Sequence, residues 1–501
     1  MAQINRRDIL KLAGMLPFSL GAPHWTRSLS AGAPHNVMVL VFDALSAYNL
    51  SIYGYARQTT PNLARRASRA IVYHNHFAGS NFTSSGTASL LTGTLPWTNR
   101  AMDDDGTVAE ALLSHNIFKV FDGYYRSAFS HNSWVVTLLR QFGSFIDEIV
   151  PREKLYLGSY DGLVHNLFSR DDDIATVGWT RYMKTEVGSS YSLFLSGLYK
   201  MLHDQEIADY QRMFPLGMPV NGSKDAFVLE QTVDWLKGHV HALPQPFLGY
   251  FHFLPPHAPY RPSAEFYGRF DRDRVKQAVK PRDVFADKSA PIDFPKDRAE
   301  YDEFILYADK AFGELFAAME ASSLLDHTWV IFTSDHGEMF ERGLIGHGNA
   351  TLYQPLVRVP LLIFEPGRET GVDIHTATSA ADLLPTLAHL AGRPVPDWTE
   401  GIVLPPFQTS TTAEDRKVYS VTARKNGQAE PLHQATTMLV RGRYKLIYAF
   451  GYGSLKDSVK LFDIEADPEE LVDLARSRKV IAAELLQELK SKLNEVNQPY
   501  L

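Results

Sequence analysis

The fold is indicated by the stretch NVMVLVF, residues Asn36–Phe42, a continuous apolar run rich in valine. A run of this kind, without alternating polar residues, is typical of a strand that is buried on both faces of a sheet. Similar runs recur further along the chain as PFLGYFHFL (Pro246–Leu254), TWVIFT (Thr328–Thr333) and VPLLIF (Val359–Phe364). The sequence therefore predicts a sheet with several buried strands.

Helical patterns separate these strands. In the stretch YDEFILYADKAFGELFAAME, apolar side chains recur on one helical face. This set comprises Phe304, Ala308, Phe312, Leu315 and Met319. Strands that alternate with amphipathic helices predict an α/β fold with a mostly parallel central sheet flanked by helices. Because ligands bind beyond the carboxyl ends of the strands in such sheets, residues that directly follow strands are the first candidates for a site.

The sequence pattern changes after about residue 399. The stretch TTMLVRGRYKLIYAF predicts two short strands around a turn at Arg441–Arg443, and a helix is expected near Val480–Asn494. We therefore expect a catalytic domain over residues 34–399 and a C-terminal subdomain with a short antiparallel sheet over residues 400–501. The weakly patterned residues 156–220 are interpreted as an inserted lid or substrate-facing region.

Composition excludes several classes of function. None of the 501 residues is cysteine, which removes disulfides, thiolate metal sites and cysteine nucleophiles. The net charge of -7 provides no basic field, so we expect no nucleic-acid partner.

The first 33 residues have the features of an export signal. Arg6 and Arg7 precede a short apolar stretch, and the small residues Ser30–Ala33 follow it. This resembles a twin-arginine (Tat) signal, although an ordinary basic helix is the alternative. Lys11 and Pro17 make the segment a poor membrane span, and no later segment is a spanning candidate. We expect residues 1–33 to be this signal and the protein to be periplasmic or otherwise exported.

Acidic residues follow two of the predicted strands. Asp43 comes directly after the first strand, and Asp335 and His336 follow Thr328–Thr333. Carboxylates and an imidazole suit one divalent metal ion, and the imidazole favours manganese or zinc over magnesium or calcium. Taken alone, each aspartate could equally be a turn former or a helix cap.

A hydroxyl-rich stretch, SNFTSSGTASLLTG, precedes a short apolar helical run. The start of a helix carries unpaired N–H groups that favour a bound oxyanion. Thr83, Ser84 or Ser85 could instead simply cap the helix, and the residues alone leave both interpretations open.

Together, these stretches resemble the sulfatase family of the alkaline phosphatase superfamily, which also includes phosphonate monoester hydrolases and phosphoglycerol or phosphoethanolamine transferases. The similar stretches are VMVLVFDAL, YGYARQTTPNLARRA, GTASLLTGTLP, PPHAPYRP, FTSDHGE, GHG, RVPLLIF and GRYKLIYAF. They run in the family's order over nearly the whole mature chain. The resemblance implies an alkaline phosphatase-like fold and metal-dependent ester chemistry.

The resemblance also implies roles for particular residues. The family's metal ligands correspond to Asp43, Asp335 and His336. Its nucleophile, which also contacts the metal, lies seven residues before the LLTG stretch and so corresponds to Thr83. The histidine of PHAPY is His257.

The resemblance suggests three further site residues. The GHG histidine, His347, matches one in the transferase-like members. We expect His347 or His257 to act as a general acid, and His131 and Asn132 to contact substrate.

Three departures from sulfatases bear on the chemistry. Thr83 stands where sulfatases make formylglycine from cysteine or serine, and Thr87 stands in place of the motif arginine. Asp43 is followed by Ala44 rather than by a second aspartate. The sulfate-gripping Lys-x-His element has no clear match, because residues 128–134 read AFSHNSW.

These observations predict a metal-dependent hydrolase or transferase that acts on phosphate esters through Thr83 and a covalent phosphothreonine. The substrate would be a small-molecule, lipid or glycan ester. Two alternatives remain open: a sulfuric ester hydrolase that works without formylglycine, and a non-catalytic sulfatase-like protein that binds a glycan.

Overall fold

The centre of the structure is an eight-stranded, mostly parallel β-sheet. Residues His35–Leu501 form one compact unit that includes this sheet. The computed structural model describes residues 34–103, 106–157, 205, 207–208, 210–221, 225–271, 273, 275, 277–408, 415–453 and 456–501. The predicted export signal and most of the predicted lid at residues 156–220 lie outside the described residues, so both remain predictions.

The four strands predicted for the central sheet lie close to their predicted positions. The main strands are β1 (Asn36–Phe42), β2 (Ile71–Tyr73), β3 (Tyr125–Ser130), β4 (Glu148–Ile149), β5 (Phe247–Phe253), β6 (Thr328–Thr333), β7 (Met339–Glu341), β8 (Leu344–Gly346), β9 (Leu361–Phe364), β10 (Val372–Ile374), β11 (Lys417–Thr422), β12 (Ala435–Arg441), β13 (Tyr444–Phe450) and β14 (Ser458–Asp463). The four predicted strands are β1, β5, β6 and β9. The central sheet has the order β10-β2-β9-β6-β1-β5-β3-β4. Of these eight described strands, β9 alone runs antiparallel to its neighbours. The predicted α/β fold with a mostly parallel sheet is confirmed.

Helices cover both faces of the central sheet. The longer helices are α1 (Pro61–Ala67), α2 (Thr83–Thr92), α3 (Ser133–Gln141), α4 (Leu229–Ala242), α5 (Pro295–Ala321), α6 (Leu383–Leu390) and α7 (Lys479–Asn497). Alternate residues of β1 point to opposite faces, as the period of a strand requires. Met38, Leu40 and Phe42 pack in the core that contains α4 and α5. Val37, Val39 and Val41 pack in the core that contains α2, α3 and α6.

Helix α5 holds the turn that follows β1. The apolar face predicted for this helix is confirmed, because all five of its predicted members are buried in the core. From the same helix, the Tyr301 hydroxyl donates a hydrogen bond to the carbonyl of Ala44 (2.7 Å) and accepts one from the backbone N–H of Ser46 (2.9 Å). Ala44 has a φ of 59°, a left-handed conformation that is uncommon for alanine. Tyr301 therefore stabilises the turn that places Asp43.

The C-terminal residues form the predicted antiparallel sheet, in the order β11-β12-β13-β14. Helix α7 packs Leu485, Leu489 and Leu493 against one face of this sheet. The opposite face packs Met438 in a cluster with Phe77 and Met339 of the preceding domain. The small sheet is therefore buried on both faces. No helix within the described residues is both long and apolar enough to cross a membrane.

Gly86 allows α2 to pack directly on the loop that carries Asp335. A Cβ at Gly86 would lie 2.2 Å from the carbonyl oxygen of Asp335. Alanine is intrinsically better than glycine inside a helix by about 1 kcal/mol. The added Cβ would overlap the Asp335 carbonyl oxygen, a backbone atom that cannot move freely. The free-energy cost of this overlap exceeds the gain in helix propensity. We expect Gly86→Ala to lower the free energy of unfolding by about 1–3 kcal/mol, measured by denaturant titration.

The matched control is Gly238→Ala in α4, where the added Cβ would have no neighbour within 4 Å. It should leave stability unchanged or raise it by up to about 1 kcal/mol. If Gly86→Ala is as stable as Gly238→Ala, the close packing of α2 described here is wrong.

Candidate active site

Side chains from four neighbouring strands meet at the carboxyl edge of the central sheet. These strands are adjacent in the order β6-β1-β5-β3. Asp43 follows β1, His252 lies near the end of β5, and Asn132 lies shortly after β3. Asp335 lies two residues beyond β6. Topology therefore brings together residues that are far apart in sequence, where α/β proteins bind their ligands.

Asp43 and Asp335 form the acidic part of the site, and both are fully buried. The Asn132 side-chain amide donates a hydrogen bond to Asp43 Oδ2 (2.6 Å). Asp335 Oδ1 accepts hydrogen bonds from the backbone N–H of His336 (3.0 Å) and of Ala44 (3.3 Å). The remaining oxygens, Asp43 Oδ1 and Asp335 Oδ2, are buried without a hydrogen-bond partner.

Two buried imidazoles contact both carboxylates. His252 Nε2 lies 3.3 Å from Asp43 Oδ2 and 3.9 Å from Asp335 Oδ2. His336 Nε2 lies 3.4 Å from Asp43 Oδ1 and 3.6 Å from Asp335 Oδ2. Within the described part of the chain, the ion pairs of the two aspartates are with these histidines and not with lysine or arginine.

The two carboxylates perturb each other and their neighbours. Burial alone would raise the pKa of Asp43, but the imidazoles of His257, His252 and His336 outweigh it, and the pKa lies well below its ordinary value. Burial and the charge of Asp43 raise the pKa of Asp335. Burial would lower the pKa of His336, but Asp335 and Asp43 raise it to about 9. The cluster therefore attracts positive charge.

The donor set fits a divalent cation. Asp43, His252 and Asp335 each offer one ligand atom, and these atoms lie within 4.8 Å of one another. His252 Nδ1 lies 3.1 Å from the Tyr250 hydroxyl, which leaves Nε2 to face the carboxylates. Two carboxylates with imidazoles are a set that binds manganese, zinc or iron. Asp43, Asp335, His252 and His336 are the residues that could hold such an ion.

The Thr83 hydroxyl points into this cluster. Thr83 is the first residue of α2 and is fully buried. The N-cap residue is Phe82, and no side chain caps the helix there. Thr83 Oγ1 instead lies 3.2 Å from His336 Nε2, whereas the neighbouring Ser85 hydroxyl donates to the carbonyl of Ala101. Of the Thr83 and Ser85 hydroxyls, that of Thr83 contacts the cluster.

His257 and His347 lie beside the cluster. The ring centroid of His347 is 4.4 Å from that of His336 and 4.7 Å from that of His257. His257 Nδ1 lies 2.6 Å from the carbonyl of Ala258, and its Nε2 is buried without a hydrogen-bond partner. Burial lowers the pKa of His257. The structure thus places His347 beside His336 and His257 beside His347, while the catalytic roles of both predicted acid–base histidines remain predictions.

The two predicted substrate contacts have different positions. Asn132 supports Asp43, as described above, and its side-chain oxygen caps α3 by accepting from the backbone N–H of Trp134 (2.9 Å). His131 is fully buried, stacks on Phe227 (4.1 Å between ring centroids) and places Nε2 3.2 Å from the Thr232 hydroxyl. The side chain of His131 therefore contacts Phe227 and α4, and these contacts do not support a role for His131 in binding substrate.

Sequence reasoning missed His252. Its signal is the alternation of β5, in which Leu248 and Tyr250 pack on the same face of the sheet as Val37, Val39 and Val41 of β1. His252 continues the alternating series of Leu248 and Tyr250, and Asp43 continues that of the three valines of β1. Both side chains are therefore directed to the same face of the sheet. The register pairs Val41 with His252, which places the two ends side by side.

Comparisons with known proteins identify the family. Residues 35–393 match the family described as Sulfatase, and residues 347–499 match the C-terminal family of N-sulphoglucosamine sulphohydrolase. The chain belongs to the sulfatase family, within the alkaline phosphatase superfamily, and is an enzyme of that family. It is 24% identical to the choline-sulfatase of Rhizobium meliloti (strain 1021), over 90% of this chain and 84% of that protein. It is 25% identical to human arylsulfatase A, over 92% and 87%.

Solved structures share the fold. The phosphonate monoester hydrolase of Agrobacterium radiobacter superposes with a TM-score of 0.64 at 19% identity, over 93% of this chain and 96% of that one. A protein solved in complex with its substrate D-glucosamine-2-N,6-O-disulfate gives a TM-score of 0.64 at 16% identity, over 94% and 98%. At these sequence identities, the structural similarity shows only that the fold is shared.

His252 provides a test of the metal site. We expect His252→Ala to weaken binding of manganese or zinc by about 10- to 100-fold, because an imidazole donor is removed while both carboxylates remain. Isothermal titration calorimetry of metal-stripped protein measures this directly. As a control, His76→Gln changes an equally buried histidine that bonds to Thr378 outside the cluster, and it should bind metal normally. Equal affinity in the wild type and the His252 variant would exclude His252 as a ligand.

Proposed function

We propose that this sulfatase-family protein is an exported, metal-dependent phosphoester hydrolase or phosphotransferase that uses Thr83 as its nucleophile. The observation that carries the proposal is the position of the Thr83 hydroxyl, 3.2 Å from His336 Nε2 at the edge of the Asp43–Asp335 cluster. In addition, the chain contains no cysteine from which formylglycine could be made.

The threonine hydroxyl needs activation, because it is a weak nucleophile near neutral pH. A divalent cation held by Asp43, Asp335, His252 and His336 would supply positive charge that lowers the pKa of this hydroxyl and stabilises the phosphoryl oxygens. The start of α2 adds unpaired backbone N–H groups on the same side. The site therefore offers both a nucleophile and an electrostatic pocket for a tetrahedral anion.

In the proposed reaction, the Thr83 hydroxyl releases its proton to solvent, and Oγ attacks phosphorus in line with the ester oxygen. The new Oγ–P bond forms a phosphothreonine as the bond to the leaving alkoxide breaks. His347 or His257 protonates that alkoxide and then deprotonates the acceptor. The acceptor oxygen attacks phosphorus, the Oγ–P bond breaks, and Thr83 regains a proton from solvent. Water as the acceptor completes hydrolysis, whereas a lipid or glycan hydroxyl would complete a transfer.

Sulfate-ester hydrolysis is the second candidate. It is favoured by the names of the relatives, since choline-sulfatase and arylsulfatase A align over most of this chain. Thr83 and Thr87 argue for phosphate, because they replace the residue that becomes formylglycine and the arginine that accompanies it in sulfatases.

Turnover by Thr83 variants tests the proposal. Metal-loaded wild type is assayed on 4-nitrophenyl phosphate, bis(4-nitrophenyl) phosphate and 4-nitrophenyl sulfate. We expect a phosphate ester to be the best substrate and Thr83→Ala to lower kcat by at least about 10³-fold, since the covalent route is lost. Rapid acid quenching followed by mass spectrometry should find phosphate on the peptide that contains Thr83.

Thr92→Ala is the matched control, because Thr92 lies on the same helix and its buried hydroxyl donates to the carbonyl of Ala88 and contacts Thr94 and Asn99, away from the cluster. This variant should retain nearly full turnover. Undiminished turnover in Thr83→Ala would exclude Thr83 as the nucleophile. A preference for sulfate, or an aldehyde mass between Phe82 and Thr87, would instead establish the sulfatase alternative.

A further inference from the structure

Glu338 and His347 are brought together by the hairpin β7–β8. Its two strands pair Glu341 with Leu344 and Met339 with Gly346. The connecting residues Arg342 and Gly343 have φ values of 59° and 78°, as a tight two-residue hairpin turn requires. Glu338 and His347 flank the last pair of this ladder. The hairpin therefore places them opposite each other, although nine positions separate them in the sequence.

The two side chains contact each other directly. His347 Nδ1 lies 3.1 Å from Oε1 and 3.2 Å from Oε2 of Glu338. The Glu338 side chain is fully buried, whereas that of His347 is 14% exposed. A carboxylate at this position accepts the Nδ1–H of the imidazole, so Nε2 is the nitrogen that is left for another partner. This is the arrangement in which a carboxylate orients a catalytic histidine.

The oriented ring lies beside His336, which contacts the Thr83 hydroxyl. The His347 ring is 4.4 Å from the ring of His336, and His336 Nε2 is 3.2 Å from the Thr83 hydroxyl. His257 is the other candidate acid, but its Nδ1 contacts the neutral carbonyl of Ala258. A hydrogen bond to the charged carboxylate of Glu338 is stronger than one to a neutral carbonyl, so it favours His347 as the ring that holds protons on both nitrogens.

The hairpin is anchored at its opposite end. The Arg342 guanidinium donates to the backbone carbonyls of Glu470 (2.6 Å) and Glu469 (3.2 Å) and lies 4.1 Å from the centre of the Tyr353 ring. These contacts hold a non-glycine residue in a left-handed conformation. They also tie the hairpin to the C-terminal subdomain, so the positions of Glu338 and His347 do not depend on a free loop.

We propose that Glu338 is a positioning residue that makes His347, rather than His257, the proton donor to the leaving group. This inference rests on the proposed function. As the Thr83 Oγ–P bond forms and the ester P–O bond breaks, the proton on His347 Nε2 passes to the leaving oxygen. His347 keeps its Nδ1 proton and becomes neutral, while Glu338 remains ionised throughout.

The dependence of rate on the leaving group tests this role, because a poor leaving group needs a proton and a good one does not. Glu338→Gln is assayed on 4-nitrophenyl, phenyl and methyl esters of whichever phosphate class the wild type hydrolyses. We expect kcat/KM to fall about 100-fold for the methyl ester and less than about 5-fold for the 4-nitrophenyl ester. Metal content, measured by elemental analysis, should equal that of the wild type.

Glu341→Gln is the matched control, since it removes a carboxylate from the same hairpin that pairs instead with Lys280 (2.8 Å). Glu341→Gln should lower the free energy of unfolding without changing how kcat/KM depends on the leaving group. If Glu338→Gln does not fold, Glu338→Asp takes its place. The shorter side chain keeps the negative charge but moves it away from His347. Glu338→Asp should show the same selective loss on the methyl ester.

A loss that is equal for all three esters, or absent, overturns the positioning role while leaving the nucleophile intact. A wild type that is inactive on every phosphate ester, or a Thr83→Ala variant that is fully active, overturns the proposed function instead. In that case the positioning role of Glu338 is excluded as well.

Discussion

The site depends on two carboxylates that are buried together with no lysine or arginine beside them among the described residues. Asp43 and Asp335 leave neighbouring parallel strands and contact the same two imidazoles. Burying such a pair is costly unless positive charge neutralises it. Asn132, Tyr301 and the backbone of Ala44 hold the two carboxylates in place.

Much of the fold could be predicted because its strands are unambiguous. The runs at Asn36–Phe42 and Thr328–Thr333 became strands with the predicted limits, and the predicted apolar face of α5 is buried. The C-terminal sheet and its terminal helix also formed as expected. These features are local: they follow from periodicity and turn chemistry within a few residues of each other.

The site was predictable only in part, because most of its contacts are set by sheet order. Asp43, Thr83, Asp335 and His336 could be placed by resemblance to the sulfatase family, and the structure brings them together. His252 was missed because the alternation of its strand indicates which face it points to but not which strand lies beside it. It becomes a ligand candidate only when β5 pairs with β1 in the observed register. Glu338 likewise acquires a partner only through the pairing of a short hairpin.

The central claim is that the Thr83 hydroxyl and the acidic cluster share one cation. Diffraction from crystals grown with manganese, recorded on both sides of its absorption edge, locates that ion directly. The account predicts a single anomalous peak about 2.0–2.5 Å from ligand atoms of Asp43, Asp335 and His252, with Thr83 Oγ1 at similar range. A map without a peak there, or with an ion that Thr83 does not approach, would contradict it.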